Sequence, residues 1–252
     1  MLKEFGMKRI ILLLFSITFL NCSQKEEVYN HNIAVDTFNK TLYSGEEFII
    51  KAISDLPLTY TSENNYHASV LSVDKWDNAN IKAGFVGKTV IKITNGEDTK
   101  EVNLIVSPLR NLFPTPPLEL FGTSKQEVIS AIGVPDEETD TSIKYYNYSD
   151  AAPYISYFFN DENALYSINI AYKIGRSYAL DNFLSERYRF AGVFINEVVG
   201  NGFVYYNSLR NITPTIAIYL YGLDRNHDAV VYQPYIEQDD EETSSKTSLL
   251  IP

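Results

Sequence analysis

Four prolines, Pro108, Pro114, Pro116 and Pro117, fall within the eleven residues Ser107 to Pro117. Proline fixes φ and donates no backbone hydrogen bond, so neither a helix interior nor a central strand crosses this stretch. A chain of 252 residues therefore reads as two domains on either side of it. Residues 108–117 are expected to form an extended, semi-rigid linker, with Leu112 and Phe113 pinning one side of it down.

The first segment, residues 33–107, reads as short strands separated by turns. Glu47 to Ile53 alternates, with Phe48, Ile50 and Ala52 on one face. Val70 to Val73, Ala79 to Ala83, Lys88 to Thr94 and Lys100 to Val106 continue the pattern, and Asn95-Gly96 is a hairpin signal between the last two. Thr89, Ile91 and Ile93 alternate with Lys88, Val90 and Lys92, the period of a half-buried strand. Closely spaced strands of this kind predict an all-β sandwich. Four segments occur in order: Ser44-Gly45-Glu46-Glu47, Tyr60 to Asn64, Ala68 to Val73, and Ala83 to Ile93. Together they resemble a bacterial Ig-like domain of group 2, with Tyr60 where that family carries a core tryptophan. The resemblance implies an Ig-like sandwich serving as a stalk, a spacer or a binding module. Trp76 lies in the turn Asp74 to Asn78, as an exposed contact or an indole packed on the rim.

The second segment, residues 118–237, opens with Ser124 and Glu127 at capping-box spacing. Val128, Ile129 and Ile132 form an apolar helical face that Gly133 and Pro135 end. Three strand-like runs follow, Ile143 to Tyr148, Tyr154 to Phe159 and Ala164 to Tyr172. A helix over Tyr178 to Tyr188 and strands at Gly202 to Asn207, Thr215 to Tyr221 and Ala229 to Tyr235 repeat the order. An α-β-β-β unit appearing twice, as a duplication would produce, predicts an α+β domain, an antiparallel sheet with helices on one face. The run Gly122 to Val128, continuing to Ile132-Gly133-Val134-Pro135, resembles the start of small outer-membrane assembly lipoproteins and of tandem-repeat β-lactamase inhibitory proteins. That resemblance implies a helix packed on an antiparallel sheet, and a protein-binding role.

Ahead of both segments, Lys3, Lys8 and Arg9 precede the apolar run Ile10 to Leu20. The run is about half the length that crosses a bilayer, so residues 1–21 read as a signal peptide. Phe19-Leu20-Asn21-Cys22-Ser23 resembles the lipobox of bacterial lipoproteins, although Asn21 replaces the usual Gly, Ala or Ser. The resemblance implies cleavage before Cys22, the single cysteine of the chain, and its lipidation. Residues 22–32 would then be a lipidated tether to the outer membrane. Ser23 is not the aspartate that retains lipoproteins at the inner membrane, and Lys25-Glu26-Glu27 resembles the acidic signal that exports some of them to the cell surface. A plain solvated tether explains the same charges. At the far end, residues 238–252 begin as an acidic run expected to be disordered.

The formal net charge of −11 becomes more negative once a leader with three basic residues and one acidic residue is removed. That excludes nucleic acid as a natural partner, because its binding needs Lys and Arg to neutralise phosphates. Asp224-Arg225-Asn226-His227-Asp228 spells the first half of a calcium loop. However, Ala229 stands where the glycine belongs and Tyr235 where the glutamate belongs, and a polar hairpin turn explains the run as well. His31, His67 and His227 lack metal spacing, and no nucleophile elbow or phosphate loop is visible. Glu186, Glu197 and Asp181 are candidates for pairing in space. No catalytic residue, metal or cofactor is expected.

Tyrosine, 19 residues, dominates the aromatic content. Tyr146, Tyr148, Tyr206, Tyr219 and Tyr221 fall on strand-like runs, where one sheet face would offer them to a partner; packing within the sheet is the alternative. The expected function is a non-enzymatic lipoprotein whose Ig-like module presents a C-terminal protein-binding domain. Its partner would be an envelope or extracellular protein. Two readings stand beside it, a glycan-binding accessory lipoprotein and a hydrolase with an unrecognised site.

Overall fold

The computed structural model describes residues 31–174 and 177–237. The expected signal peptide, Cys22, nearly all of the tether and the acidic tail 238–252 lie outside the described residues. The chain is predominantly β-sheet, and its strands group into four sheets among the described residues.

Residues 31–107 supply three of them. Strands β1 (Ala34–Val35) and β4 (Ala52–Ile53) pair in a two-stranded ribbon. A four-stranded sheet runs β2 (Asn39–Tyr43), β9 (Thr99–Ser107), β8 (Gly87–Thr94), β5 (Thr59–Ser62), with β2 parallel to β9. A three-stranded sheet runs β3 (Glu47–Ile50), β7 (Ala79–Ala83), β6 (Ala68–Val73). Tyr60, Ile91, Ile93, Val102 and Leu104 of the larger sheet share one core with Ile50, Ala68, Ala79 and Ile81 of the smaller. The alternation expected of Thr89, Ile91 and Ile93 holds, since all three are buried. The strand expected over Glu47 to Ile53 is two strands. The chain leaves β7 at Lys51 and joins β1, while Ile50 and Ala52 keep the same inward face. Tyr60 is buried, and its hydroxyl donates to the Asp77 carbonyl at 2.5 Å. Burial pushes that hydroxyl up to about 12. Trp76 is exposed, with the Lys75 ammonium 4.3 Å from its ring centroid.

Beyond residue 117 lie α1 (Lys125–Ile132), β10 (Glu137–Glu138), β11 (Ser142–Tyr146), β12 (Tyr154–Phe159) and β13 (Leu165–Lys173). They are followed by α2 (Ser177–Ser185), β14 (Arg189–Asn196), β15 (Gly200–Tyr206), β16 (Ile216–Gly222) and β17 (His227–Pro234). The capping box forms as expected: the Ser124 side chain accepts from the Glu127 N–H, and the Ser124 N–H donates to the Glu127 carboxylate at 2.8 Å. Gly133, at φ 113°, ends α1. The strands make one eight-stranded sheet in the order β10-β11-β12-β13-β17-β16-β15-β14, antiparallel throughout. Each helix is thus followed by a four-stranded meander, and the two meanders join through their last strands. Sequence periodicity counted three strands per unit. It missed β10, which is two glutamates, and β14, whose alternation a bulge between Phe190 and Gly192 interrupts. Val128 of α1 and Leu180, Phe183 and Leu184 of α2 belong to one core with Ile143, Ile155, Ile168, Ile218 and Tyr232 of the sheet. Both helices therefore cover the same face.

The proline-rich stretch is held by Glu186, Arg187 and Phe183, so it is not a free spacer. Phe113 is buried against Phe183 at a centroid distance of 4.5 Å. Glu186 accepts the Leu109 and Arg110 N–H groups at 2.9 and 3.3 Å. Arg187 donates to the carbonyls of Phe183 and Arg110 and to the Asn111 side chain, while its guanidinium lies 3.7 Å from the Phe183 ring centroid. On the other side Val86 N–H donates to the Glu186 carbonyl at 2.8 Å, and the Tyr66 hydroxyl to the Arg187 carbonyl at 2.6 Å. An open cleft of about 670 Å³ lies alongside, lined by Asn64, Tyr66, Arg187, Ser208 and Thr213 among others.

Candidate binding surface

Residues paired across neighbouring strands point to the same face of a sheet. The register therefore places Tyr146, Tyr154, Ala171, Ala229, Tyr221, Gly202 and Phe194 in one row crossing seven strands, on the face opposite the helices. The next row is Lys144, Ser156, Asn169, Val231, Tyr219, Val204 and Gly192.

The two ends of this face differ chemically. At the β11–β12 end Tyr146 is exposed and meets Tyr154 edge-to-face at 6.3 Å. Its hydroxyl donates to the Glu137 carboxylate, which Lys144 also holds at 3.0 Å. The Lys144 ammonium sits 5.3 Å from the Tyr154 ring centroid. The Tyr146 hydroxyl, then Lys144, hold the Glu137 carboxyl below its usual range, and Glu137 in turn raises the lysine. At the β14–β17 end Phe194, Val204, Ala217, Tyr219, Tyr221, Ala229 and Val231 form a second apolar cluster. Phe194 meets the Tyr219 and Tyr221 rings edge-on at 5.6 and 6.2 Å. Burial lifts the Tyr219 hydroxyl to about 12. Between the two ends lie Ser156, Ser167 and Gln233, all buried. The Ser167 hydroxyl donates to the Asn169 side chain at 2.9 Å, and Gln233 approaches Ser167 at 3.4 Å.

Of the five tyrosines singled out from sequence, Tyr146, Tyr206, Tyr219 and Tyr221 share this face. Tyr219 and Tyr221 are buried within it, not exposed as an offered row requires. Tyr148 is not on it. Asn147 adopts φ 56°, the strand ends at Tyr146, and Tyr148 turns toward the linker, where its hydroxyl donates to the Pro114 carbonyl at 2.6 Å. Periodicity missed Phe194, Lys144 and Tyr154 as members. Their signal was the pairing register, which a sequence does not print. Glu186, Glu197 and Asp181 do not meet: Glu186 is at the linker, Asp181 accepts from the Tyr205 hydroxyl at 2.6 Å, and Glu197 follows β14.

Gly202 makes the aromatic end possible. A Cβ there would stand 2.4 Å from the Leu220 carbonyl oxygen and 2.5 Å from the Phe194 ring. Gly202→Ala is expected to displace Phe194 and to cost about 1–3 kcal/mol through overpacking. A urea titration would measure it, and near-ultraviolet circular dichroism would report the loosened tyrosines.

In Asp224 to Asp228, Asp224 accepts the Asn226 and His227 N–H groups at 2.6 and 2.9 Å, as a hairpin turn between β16 and β17 does. Among the described residues no three His, Cys, Asp or Glu side chains group as metal ligands, and no helix is long and apolar enough to cross a membrane.

Five carboxylates, four exposed and Asp98 half-buried, are held below their usual range. The chief donors are the Asn78 side chain to Asp74, Ile33 N–H to Asp98, Ser124 N–H to Glu127, the Tyr146 hydroxyl to Glu137 and Asn226 N–H to Asp224. Such groups stabilise the fold above the unfolded carboxylate range, near pH 4, and that stability is lost as pH falls through their folded values. At the other extreme, burial raises Tyr60, Tyr148, Tyr188 and Tyr219 to about 12. These hydroxyls ionise first in the unfolded chain, near pH 10, so stability falls again as pH rises from there. Melting temperature against pH is expected to drop on both limbs, with phenolate absorbance rising in step with alkaline unfolding.

No family model matches the chain, and no curated protein does. Solved structures with some likeness include domains 4 and 5 of the S-layer protein SbsC, at 20% identity and TM-score 0.27, over 30% of this chain and 50% of that one. SbsC domains 5–6 align at 12% identity and TM-score 0.28, over 81% of this chain and 83% of theirs. Domains 4–9 align at 11% identity and TM-score 0.28, over 82% of this chain and 27% of theirs. The chain thus spans half the length of the first of these. Likeness at such TM-scores carries no argument about fold or role.

Proposed function

We propose that this chain is a non-enzymatic lipoprotein of the cell envelope, held at the outer membrane by lipid on Cys22 and displayed at the cell surface. In this reading residues 33–107 are an Ig-like sandwich of the group 2 kind and residues 118–237 an α+β domain. The sandwich carries that domain, and the domain binds another protein through the sheet face opposite its helices. The observation that supports it best is the exposed end of the aromatic row. There Tyr146, Tyr154, Lys144 and Glu137 combine ring surface with paired charge, the mixture that contact surfaces favour. The rigid clamp at Glu186 and Arg187 would fix the direction in which this face points.

Two measurements test the reading. Cys22→Ser should move the protein from the membrane fraction to the soluble one, and mass spectrometry should find acyl chains on the unaltered protein. Envelope extract passed over the full chain should yield a bound protein that is lost with the Tyr146→Ala, Tyr154→Ala double variant. Equal capture by that variant would sink the assignment of the face. The partly exposed Asn169, lying between the two aromatic ends of the face, favours the glycan reading as the second choice. Soluble glycans that raise the melting temperature would support it, because a ligand specific for the folded state must stabilise it.

A further inference from the structure

The open cleft of about 670 Å³ beside the linker falls in the size range of small-ligand sites, which favour domain junctions. Its walls come from opposite halves of the chain. The turn between β5 and β6 supplies one, with Asn64, Asn65 and Tyr66, and the loop between β15 and β16 supplies the other, with Ser208 and Thr213. An asparagine fixes each wall at its base. The Asn64 side chain accepts the Tyr66 N–H at 3.0 Å, and the Asn64 N–H donates to the Thr89 hydroxyl at 3.0 Å. The Asn207 side chain accepts the Thr215 and Ile216 N–H groups at 3.0 and 2.9 Å and donates to the Thr215 hydroxyl at 2.7 Å. The Tyr66 hydroxyl, donating to the Arg187 carbonyl at 2.6 Å, ties the two walls together. A cleft held in this way is preorganised, so a ligand has little ordering of the walls to offset.

The charges of the lining are already engaged. Lys92 holds Glu63 at 2.7 Å, and the carbonyls of Phe183 and Arg110 accept from Arg187. His67 sets its Nδ1 against the Phe85 carbonyl at 3.1 Å. A charged ligand would therefore meet no free countercharge. What the cleft offers is neutral. The Asn65 amide and the Thr213 hydroxyl are exposed, one on each wall. The Ser208 hydroxyl, within the second wall, is the one buried side-chain polar atom left without a partner among the described residues. Leaving such a group unmet is costly. Val86 and Ile212 add apolar surface to the same lining. Amides and hydroxyls both donate and accept, so they suit a ligand whose polar groups do the same. A sugar ring, with hydroxyls around its rim and C–H groups on its faces, has that chemistry. We propose that this cleft binds a short uncharged oligosaccharide, spanning from Asn65 on one wall to Thr213 on the other.

This site is separate from the sheet face described above, and the test keeps the two apart. The probes are cellobiose, maltose and N,N′-diacetylchitobiose at millimolar concentration, added to the full chain bearing Cys22→Ser. Saturation-transfer NMR should detect contact with at least one of them. That sugar should also raise the melting temperature, because it binds only the folded state. Asn65→Ala combined with Thr213→Val should weaken its binding by about tenfold or more, since each removes a hydrogen-bonding group. Both positions are exposed, so circular dichroism should remain that of the unaltered chain. Tyr146→Ala combined with Tyr154→Ala should leave the affinity unchanged. No saturation transfer from any of the three sugars, or equal binding by the Asn65→Ala, Thr213→Val variant, would overturn the proposal. So would binding lost with the tyrosine pair instead, which would move the sugar to the sheet face.

Discussion

Phe183→Ala is expected to lower the unfolding free energy by about 3–5 kcal/mol, the usual cost of truncating a fully buried phenylalanine. Phe183 has no exposed surface, and it touches elements that are far apart in sequence. Its ring packs on Phe113 of the proline-rich stretch and lies beneath the Arg187 guanidinium. Removing it leaves a cavity under the linker as well as under α2. In a chain of this size each kcal/mol is worth about 2–4 °C, so a fall of roughly 10 °C in melting temperature is the expected reading. Limited proteolysis near Arg110 should quicken at the same time, because the linker loses its seat.

Arg187→Ala is the second large effect, expected at about 3 kcal/mol. The guanidinium is nearly buried, and burial pulls it below the ordinary arginine range. It persists in charged form because Glu186 lies 3.7 Å away and three oxygens accept from it. Hydrogen bonds to a charged group are worth about 1.5–3 kcal/mol each, and truncation strands the Phe183 and Arg110 carbonyls. Arg187→Lys should rescue little, because an ammonium is a point charge without the planar fork that reaches all three. The Phe183 and Arg187 side chains touch, so their losses should fall short of additive in a double-mutant cycle. Denaturant midpoints of the two single variants and the double variant would measure that coupling.

What the sequence made legible was local. The Ser124–Glu127 box and the Gly133 stop involve residues within one helical length, and both formed. The strict alternation of Thr89, Ile91 and Ile93 identified an inward face without knowledge of its partner. Strand β14 escaped because Gly192 and the neighbouring bulge break its alternation, and β10 because two glutamates carry no apolar pattern. The candidate surface was only half readable. Four of the five tyrosines share a face because the strand period is fixed. The fifth, Tyr148, turned away because Asn147 took a left-handed conformation that no periodicity encodes. The burial of Tyr219 and Tyr221 depends on Phe194 and on the space left by Gly202. These lie on other strands, and only the pairing register brings them together. The clamp of Glu186 and Arg187 on the linker was invisible for the same reason, since its partners lie 76 and 77 positions away.

The parallel pairing of β2 with β9 has a mechanical consequence. The chain enters β2 at Asn39 and leaves β9 at Ser107, at opposite ends of the shared ladder. Traction between the leading end of the chain and everything past Ser107 would drag these strands lengthwise past one another. All five residue pairs, from Asn39 with Asn103 to Tyr43 with Ser107, then bear load together instead of peeling one by one. Forced opening is governed by the barrier to rupture and not by equilibrium stability. A body tugged from its mooring while its far side is gripped would meet that tension in its most shear-resistant orientation.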